Sequence, residues 1–161
     1  MRIQEKILDR KSLSDILARA RGAGKKVVFT NGCFDLLHVG HTRYLNYARG
    51  LGDMLVVGLN TDDSIKSFKG DKRPLLSLDE RLRIIASLEA VDYVTWFDER
   101  DPKNIILELR PTIHVKGGNY TLEQIIEYNV VKSIGAEMVL APCIEGNSSS
   151  AIIQSVVEKF S

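Results

Sequence analysis

Lys26-Val-Val-Phe-Thr-Asn-Gly-Cys-Phe-Asp-Leu-Leu-His-Val-Gly-His-Thr-Arg-Tyr-Leu-Asn-Tyr-Ala48 joins a short apolar run to an amphipathic one. Val27, Val28 and Phe29 read as a strand buried on both faces, the kind found in parallel sheets. Thr30, Asn31 and Gly32 are expected to break it, with Gly32 allowing a ligand or a second stretch of backbone to come close. From Gly40 onward Leu45, Ala48 and Leu51 fall on one face of a helix. His38 and His41 therefore sit where a strand ends and a helix begins, the position at which open α/β sheets bind ligands.

Two histidines three apart project to the same side of a helical turn, and Gly40 between them exposes backbone. Free N–H groups and the positive end of the helix dipole favour an anion there, most naturally a phosphate. Two imidazoles aimed at one phosphate suit an in-line displacement, in which extra negative charge must be stabilised. Such a displacement calls for no covalent nucleophile. A metal site is the weaker reading, since a histidine pair without a third ligand is incomplete.

The motif Thr30-Asn-Gly-Cys-Phe-Asp-Leu-Leu-His38-Val-Gly40-His41 resembles the signature of the H-x-G-H nucleotidyltransferase superfamily. That superfamily includes the cytidylyltransferases, phosphopantetheine adenylyltransferase and archaeal FAD synthetase. The most specific resemblance is to the adenylyltransferase domain of the bacterial ADP-heptose synthases. It implies transfer of a nucleotidyl group from an NTP to a phosphate-bearing acceptor, with release of pyrophosphate.

The rest of the chain is that of an ordinary globular domain. Its 161 residues are 44% hydrophobic and 27% charged, with a net charge of +1. One domain with a real core is expected over residues 1–161, residues 1–24 being a helical lead-in. Balanced charge announces no nucleic-acid or membrane partner. No stretch approaches a membrane span, and the first residues lack a signal-peptide core. Two cysteines, Cys33 and Cys143, suit a reducing cytoplasm better than a disulfide scaffold.

In chain order, Ser12-x-x-Asp15 reads as a capping box opening a helix over residues 12–21, with Leu13, Ile16, Leu17 and Ala20 inward. Residues 53–60 form a second strand, and Thr61 to Pro74 a polar loop that is either simply solvated or, through Lys66, Lys69, Lys72 and Arg73, able to fold over a triphosphate. Ser77-x-x-Glu80 caps a helix to Leu88, carrying Arg81 in its first turns, an unfavourable dipole position that hints at an anionic partner. An exposed ion pair with Asp79 or Glu80 is the competing reading. Residues 91–97 are a third strand, and Asp101-Pro102 starts a helix to about Leu109. Residues 112–116 are a fourth strand, ending in Lys116-Gly117-Gly118-Asn119. Thr121-x-x-Gln124 caps a helix to about Ile134, and residues 137–142 are the fifth strand. A last helix begins in Glu145-Gly146-Asn-Ser148-Ser149-Ser150, with Ile152, Ile153, Val156 and Val157 expected to be buried. One serine serves as N-cap, and the others with free N–H groups suit a phosphate cradle. Strands alternating with helices predict a Rossmann-like α/β fold, an open parallel five-stranded sheet with helices on both faces.

The resemblance extends to Lys69-Gly-Asp-Lys-Arg-Pro74, to Val115-Lys-Gly-Gly-Asn-Tyr120 and to Gly146-Asn-Ser148-Ser149-Ser150. Asn119 replaces an Asp of the heptose enzymes, Ser149 a Thr, and Gln154 stands where some members carry an arginine. It implies ATP and a sugar 1-phosphate as substrates, with Mg²⁺ assisting, to give ADP-glycero-manno-heptose for lipopolysaccharide or surface-glycan assembly. It assigns His38 and His41 to the α-phosphate, and Lys69, Ser148 and Ser149 to the outer phosphates, with Arg81 assisting. The nucleotide would lie over Thr30, Asn31, Gly32, Cys33, Phe34 and Gly40, with Lys116, Gly117, Gly146 and Ser150 also in contact. Asp35, Lys69, Gly118 and Asn119 are candidates for acceptor contacts, and Asp35 with the Lys116–Asn119 turn for organising Mg²⁺. No protein ligand to a metal is assigned. A separate sugar kinase is expected, since none fits in this length, and a homodimer by analogy with related transferases. Alternatives are the same fold with CTP and glycerol phosphate or with ATP and FMN, and a non-catalytic nucleotide-binding module. A class I tRNA synthetase fragment lacks support, there being no Lys-Met-Ser-Lys-Ser-like loop.

Overall fold

The apolar run at residues 27–29 is the middle of the molecule. The computed structural model describes residues 1–142 and 148–161. In chain order these form α1 (Ile3–Lys6), α2 (Arg10–Gly22), β1 (Val27–Gly32), α3 (Val39–Arg49), β2 (Met54–Asn60), α4 (Asp62–Lys69) and α5 (Leu78–Ala86). There follow β3 (Tyr93–Phe97), α6 (Lys103–Leu109), β4 (Ile113–Gly117), a 3₁₀ turn (Leu122–Gln124), α7 (Tyr128–Ser133), β5 (Glu137–Ala141) and α8 (Ser149–Phe160). All five strands are parallel, in the order β3-β2-β1-β4-β5.

Strand alternation divides the core into two layers. Val28, Leu55, Val57 and Val94 pack with Leu45 and Ala48 of α3 and with Leu82 and Ile85 of α5. Val27, Phe29, Val56 and Phe97 face the other way, against Leu13 and Leu17 of α2, Ile105 and Ile106 of α6 and Val131 of α7. Each fully buried aliphatic side chain of this kind contributes about 1.5–3 kcal/mol. Because both faces are covered, the strands read as continuous apolar runs, and the sheet expected from the sequence is the one observed.

The chain builds β1, β2 and β3 outward in one direction, then crosses back to place β4 on the other side of β1. The crevice outside the carboxyl ends of β1 and β4 is thus the switch point of the sheet. That crossing decides which loops meet.

Several local expectations are corrected. Thr30, Asn31 and Gly32 do not break β1; they stay in register with Val57, Gly58 and Leu59 of β2. The polar stretch after β2 contains helix α4, capped by Thr61, whose hydroxyl accepts the Ser64 N–H at 3.2 Å. Asp62 and Asp63 in its first turn and Lys66 and Lys69 in its last complement the helix dipole. Ile65, fully buried, and Phe68 are its only apolar residues, too few to mark a helix within a stretch of charged and polar side chains. Asp9, not Ser12, caps α2, accepting the Ser12 N–H at 3.0 Å. Pro102 takes the cap position of α6, while Asp101 accepts the Lys103 N–H at 3.0 Å. The single helix expected after Thr121 is split into the 3₁₀ turn and α7, and the break brings Glu127 inward. No residue of α8 is buried; Val156 and Val157 are 52% and 51% exposed. Periodicity shows which side of a helix is apolar, but not whether another layer covers it.

Gly52, in the turn from α3 to β2, has no room for a side chain. A Cβ there would lie 2.7 Å from Val28 Cγ2 and 2.8 Å from the Lys26 carbonyl oxygen. Gly52→Ala is therefore expected to cost about 1–3 kcal/mol of stability, measured by urea unfolding. Wild-type stability in that variant would show the turn to be slack.

Candidate active site

Every loop at the switch point contributes to one cleft of about 420 Å³. Asn31 to Phe34 come from the end of β1, and His38, Gly40, His41 and Tyr44 from the start of α3. Lys69 and Arg73 come from the α4–α5 segment, Lys116 to Gly118 from the end of β4, and Ser148 to Ser150 from the start of α8. The three stretches singled out in the sequence thus meet, although more than a hundred residues separate the first from the last. Gly146 lies outside the described residues.

His38 is the N-cap residue of α3 and His41 its third residue. Their rings stack with centroids 3.8 Å apart. His41 Nδ1 accepts the backbone N–H of His38 at 3.4 Å, which leaves its proton on Nε2 as a donor. Burial, with the positive fields of His38 and Lys69, brings the His41 imidazole down to about 4. Burial also lowers His38. Near neutral pH the pair therefore offers uncharged N–H donors. His38 Nδ1 and Asn31 Oδ1 are buried without a partner among the described residues. Buried polar atoms of this kind are costly unless something later satisfies them.

The ring of Phe34, 5.3 Å from that of His41, supports the pair from behind. Phe34 holds the left-handed φ of 46°, rare for a bulky residue. Its ring folds back over Gly32, where a Cβ would come within 2.9 Å of it. Tyr44 ties the floor together: its hydroxyl donates to the Val115 carbonyl at 2.9 Å and accepts from Thr30. Burial pushes that phenol up to about 12. Thr30 is fully buried beneath the cleft and is not among its lining residues. Gly117 is bare because a Cβ would lie 3.1 Å from the Tyr44 ring.

Two expected ligands are committed elsewhere. Arg81 is fully buried, donating to the carbonyls of Leu76 (3.1 Å), Cys33 (2.8 Å) and Asn60 (2.9 Å) and to Asp62 (2.6 Å). The anionic partner implied by its place in α5 is thus Asp62 and a set of carbonyls, and Arg81 does not reach the cleft. Asp35 is buried and accepts from Arg73 Nε (2.7 Å) and from the N–H groups of Leu75 and Leu76 (2.9 Å). Burial would raise its carboxyl, but these bonds hold it below its ordinary value. Asp35 is therefore not available to an acceptor or to Mg²⁺. Asn119 also stands outside the lining, whereas Gly118 is within it.

Lys116 reaches the cleft from a buried ion pair. Its Nζ donates to Glu127 Oε1 at 2.7 Å, and His114 Nε2 lies 3.2 Å from the same oxygen. Burial keeps His114 neutral, while its hydrogen bond and that of Lys116 hold Glu127 ionised. Ser148 caps α8, accepting the Ala151 N–H at 3.1 Å, and Ser149 Oγ donates to the Leu36 carbonyl at 2.9 Å. Tyr44 and Glu127 are residues that sequence reasoning did not place in or behind the site. Arg73 stood in the sequence as one of the cations of a polar loop able to fold over a triphosphate, and Glu127 only as a position within the expected helix.

The described lining carries no carboxylate, and no three metal-ligating side chains cluster among the described residues. This donor set does not fit a protein-held Mg²⁺.

A nucleotide-type α/β sheet with a switch-point cleft, paired imidazoles, cations and a serine-lined helix start defines a protein of phosphate group transfer. The sequence pattern of the Cytidylyltransferase-like family matches residues 29–155, and the chain belongs to that family of nucleotidyltransferases. It is 48% identical over 155 residues to the bifunctional protein HldE of Trichlorobacter lovleyi, covering 96% of this chain and 32% of that one. With HldE of Citrifermentans bemidjiense identity is 51% over 148 residues, covering 92% and 30%. The chain thus spans about a third of the length of these curated relatives. Among solved structures it is similar to the lipopolysaccharide core biosynthesis protein of Thermoplasma volcanium, at TM-score 0.63 and 26% identity over 76% of this chain and all of that one. The pantoate-β-alanine ligase of Francisella tularensis shares the fold at TM-score 0.60 and 19% identity, over 84% of this chain and 66% of that one. Among the described residues no helix is long and apolar enough to cross a membrane.

The histidine pair has a pH signature. The unfolded imidazole takes up its proton near the ordinary 6.5, the folded His41 only near 4. Between those values unfolding takes up a proton, so His41 adds stability above pH 6.5 that is lost as pH falls through 4. The His41 ring resonances of the free protein should titrate with a midpoint near 4 by NMR. A midpoint at or above 6 would contradict the burial argument.

Proposed function

We propose that the chain transfers AMP from ATP to a sugar 1-phosphate, with D-glycero-D-manno-heptose 1-phosphate as the acceptor, to give ADP-heptose and pyrophosphate. The observation that carries the reading is the neutral, stacked His38–His41 pair at the start of α3, in a cleft bordered by Lys69, Arg73 and Lys116. The name of the similar lipopolysaccharide core biosynthesis protein supports the surface-sugar context. So does the likeness of Val115-Lys-Gly-Gly-Asn-Tyr120 to the heptose adenylyltransferases.

An oxygen of the acceptor phosphate attacks the α-phosphorus of ATP, and the bond from that phosphorus to the β-bridging oxygen breaks. Pyrophosphate leaves with that electron pair. The attacking oxygen is already ionised at neutral pH, so no strong base is needed. The His41 Nε2–H, with the neighbouring His38 ring, donates to the α-phosphoryl oxygens as their charge grows. Neutral donors suit this task, because they need not shed a proton or a salt partner beforehand. Lys69 and the α8 N-terminus take the outer phosphates. Mg²⁺ enters this scheme as part of the ATP substrate, since the described lining has no carboxylate to hold it. A kinase step supplies the sugar 1-phosphate, in keeping with the bifunctional name and greater length of the HldE relatives.

Pyrophosphate release with ATP or CTP against heptose 1-phosphate anomers, glycerol 3-phosphate, FMN and phosphopantetheine tests the reading. Turnover confined to ATP and a heptose 1-phosphate is the expected result, and turnover with another pair defeats the heptose assignment. His38→Ala and His41→Ala should each lower kcat by about 10²–10³-fold while ATP binding by calorimetry stays near wild type. Silence of the wild type across the panel, with ATP still bound, would instead favour a nucleotide-binding module.

A further inference from the structure

Arg73 borders the cleft with no part in the scheme above. It lies on the β2 side of β1, in the segment joining α4 to α5. Its Nε donates to Asp35 Oδ2 at 2.7 Å, and the two side chains are 15% and 1% exposed. Asp35 also takes the N–H groups of Leu75 and Leu76, so the carboxylate is fixed independently of the arginine. An arginine serving only to neutralise a buried carboxylate would close on it as a two-toothed fork. Here a single Nε contact holds the guanidinium, and neither terminal amino group has an acceptor among the described residues. Arg73 thus presents an anchored, permanently charged pair of donors to the cleft.

Its position distinguishes it from Lys69. Lys69 is the last residue of α4, whereas Arg73 stands in the turn after it, tied to Asp35 just beyond the end of β1. Arg73 is therefore fixed against the wall formed by the exit from β1. In an in-line displacement the entering and leaving oxygens lie on opposite sides of the phosphorus. With His38, His41, Lys69 and the α8 serines given to the phosphates of ATP, the anchored Arg73 is left in the cleft for the entering group. Two anionic reactants must approach each other there, and a guanidinium fork matches two oxygens of a phosphate monoester.

We propose that Arg73, held in place by Asp35, binds the phosphate of the acceptor and so restricts the enzyme to acceptors carrying a phosphate monoester. This rests on the nucleotidyl-transfer reading. The test is initial-rate pyrophosphate release with both substrates varied, for wild type, Arg73→Ala and Arg73→Lys. Arg73→Ala should raise the acceptor KM by about 30-fold or more and leave the ATP KM within about twofold, the scatter of a distant surface change. Arg73→Lys can still pair with Asp35 but lacks the fork, so its acceptor KM should also rise, by about tenfold. An ATP KM that rises as much as the acceptor KM, or no change in either, overturns the proposal. ATP calorimetry shows whether Arg73→Ala is folded; if it is not, Arg73→Lys decides alone, and a wild-type acceptor KM in it is the overturning result. Should the wild type release no pyrophosphate with any acceptor, the transfer reading itself fails. Calorimetry with inorganic phosphate then still decides Arg73: binding lost in Arg73→Lys supports a phosphate site, and equal binding removes it.

Discussion

The guanidinium of Arg81 holds the ligand-facing end of the sheet together. It is the largest fully buried side chain of the molecule, and its donors end on Cys33, Asn60, Leu76 and Asp62. Those acceptors are the exit from β1, the end of β2, the lead into α5 and the first turn of α4. Strand ends have unpaired carbonyls that a sheet cannot satisfy, and burying them without donors costs about 1–3 kcal/mol each. One planar cation meets two of them, together with the Leu76 carbonyl, and finds its charge partner in Asp62. The helix that carries it, α5, is in turn fixed by Ser77, whose N–H donates to Glu80 at 2.8 Å. The loops of the cleft inherit their positions from this point.

The same device recurs at the cleft wall, with the charges exchanged. Asp35 stands behind Arg73, and Glu127 behind Lys116, each carboxylate buried and each cation reaching the cleft. Such pairs are expensive to desolvate and contribute little to net stability. What they provide is geometry: the cations are oriented before any anion arrives. Because each pair is close to neutral, a triphosphate and a second phosphate can be accommodated without a strongly repulsive empty site. His38 and His41, lowered by burial, follow the same logic as uncharged donors.

Sheet topology then brings these groups together. β2 and β4 are the two neighbours of β1, so the segments that follow them flank the histidine turn on opposite sides. Lys69 and Arg73 arrive from the β2 side, and Lys116 to Gly118 from the β4 side. Tyr44 ties both sides to the floor through Thr30 and Val115. Gly32 and Gly117 are bare where the Phe34 and Tyr44 rings must lie against the backbone. The cleft is shaped by aromatic packing as much as by its polar groups.

The sequence by itself determined the parallel α/β architecture, since apolar runs such as Val27-Val-Phe29 separated by amphipathic stretches fit no other common arrangement. It also determined the location of the histidine turn, the Lys116-Gly-Gly turn and the serine-lined helix start, because local residue chemistry marks each. Only the tertiary structure decided that Arg81 and Asp35 are turned away from the cleft, that Arg73 and Lys116 border it, and that α8 leaves Val156 and Val157 uncovered. It also decided that residues 62–69 are helical and that the helix after Thr121 breaks to turn Glu127 inward. Those outcomes rest on partners far away in the chain: Arg73 on Asp35, Lys116 and His114 on Glu127, Arg81 on Cys33. A charged side chain has the same local signature whether it is solvated, anchored or waiting for a ligand, and long-range pairing in a desolvated interior selects among the three.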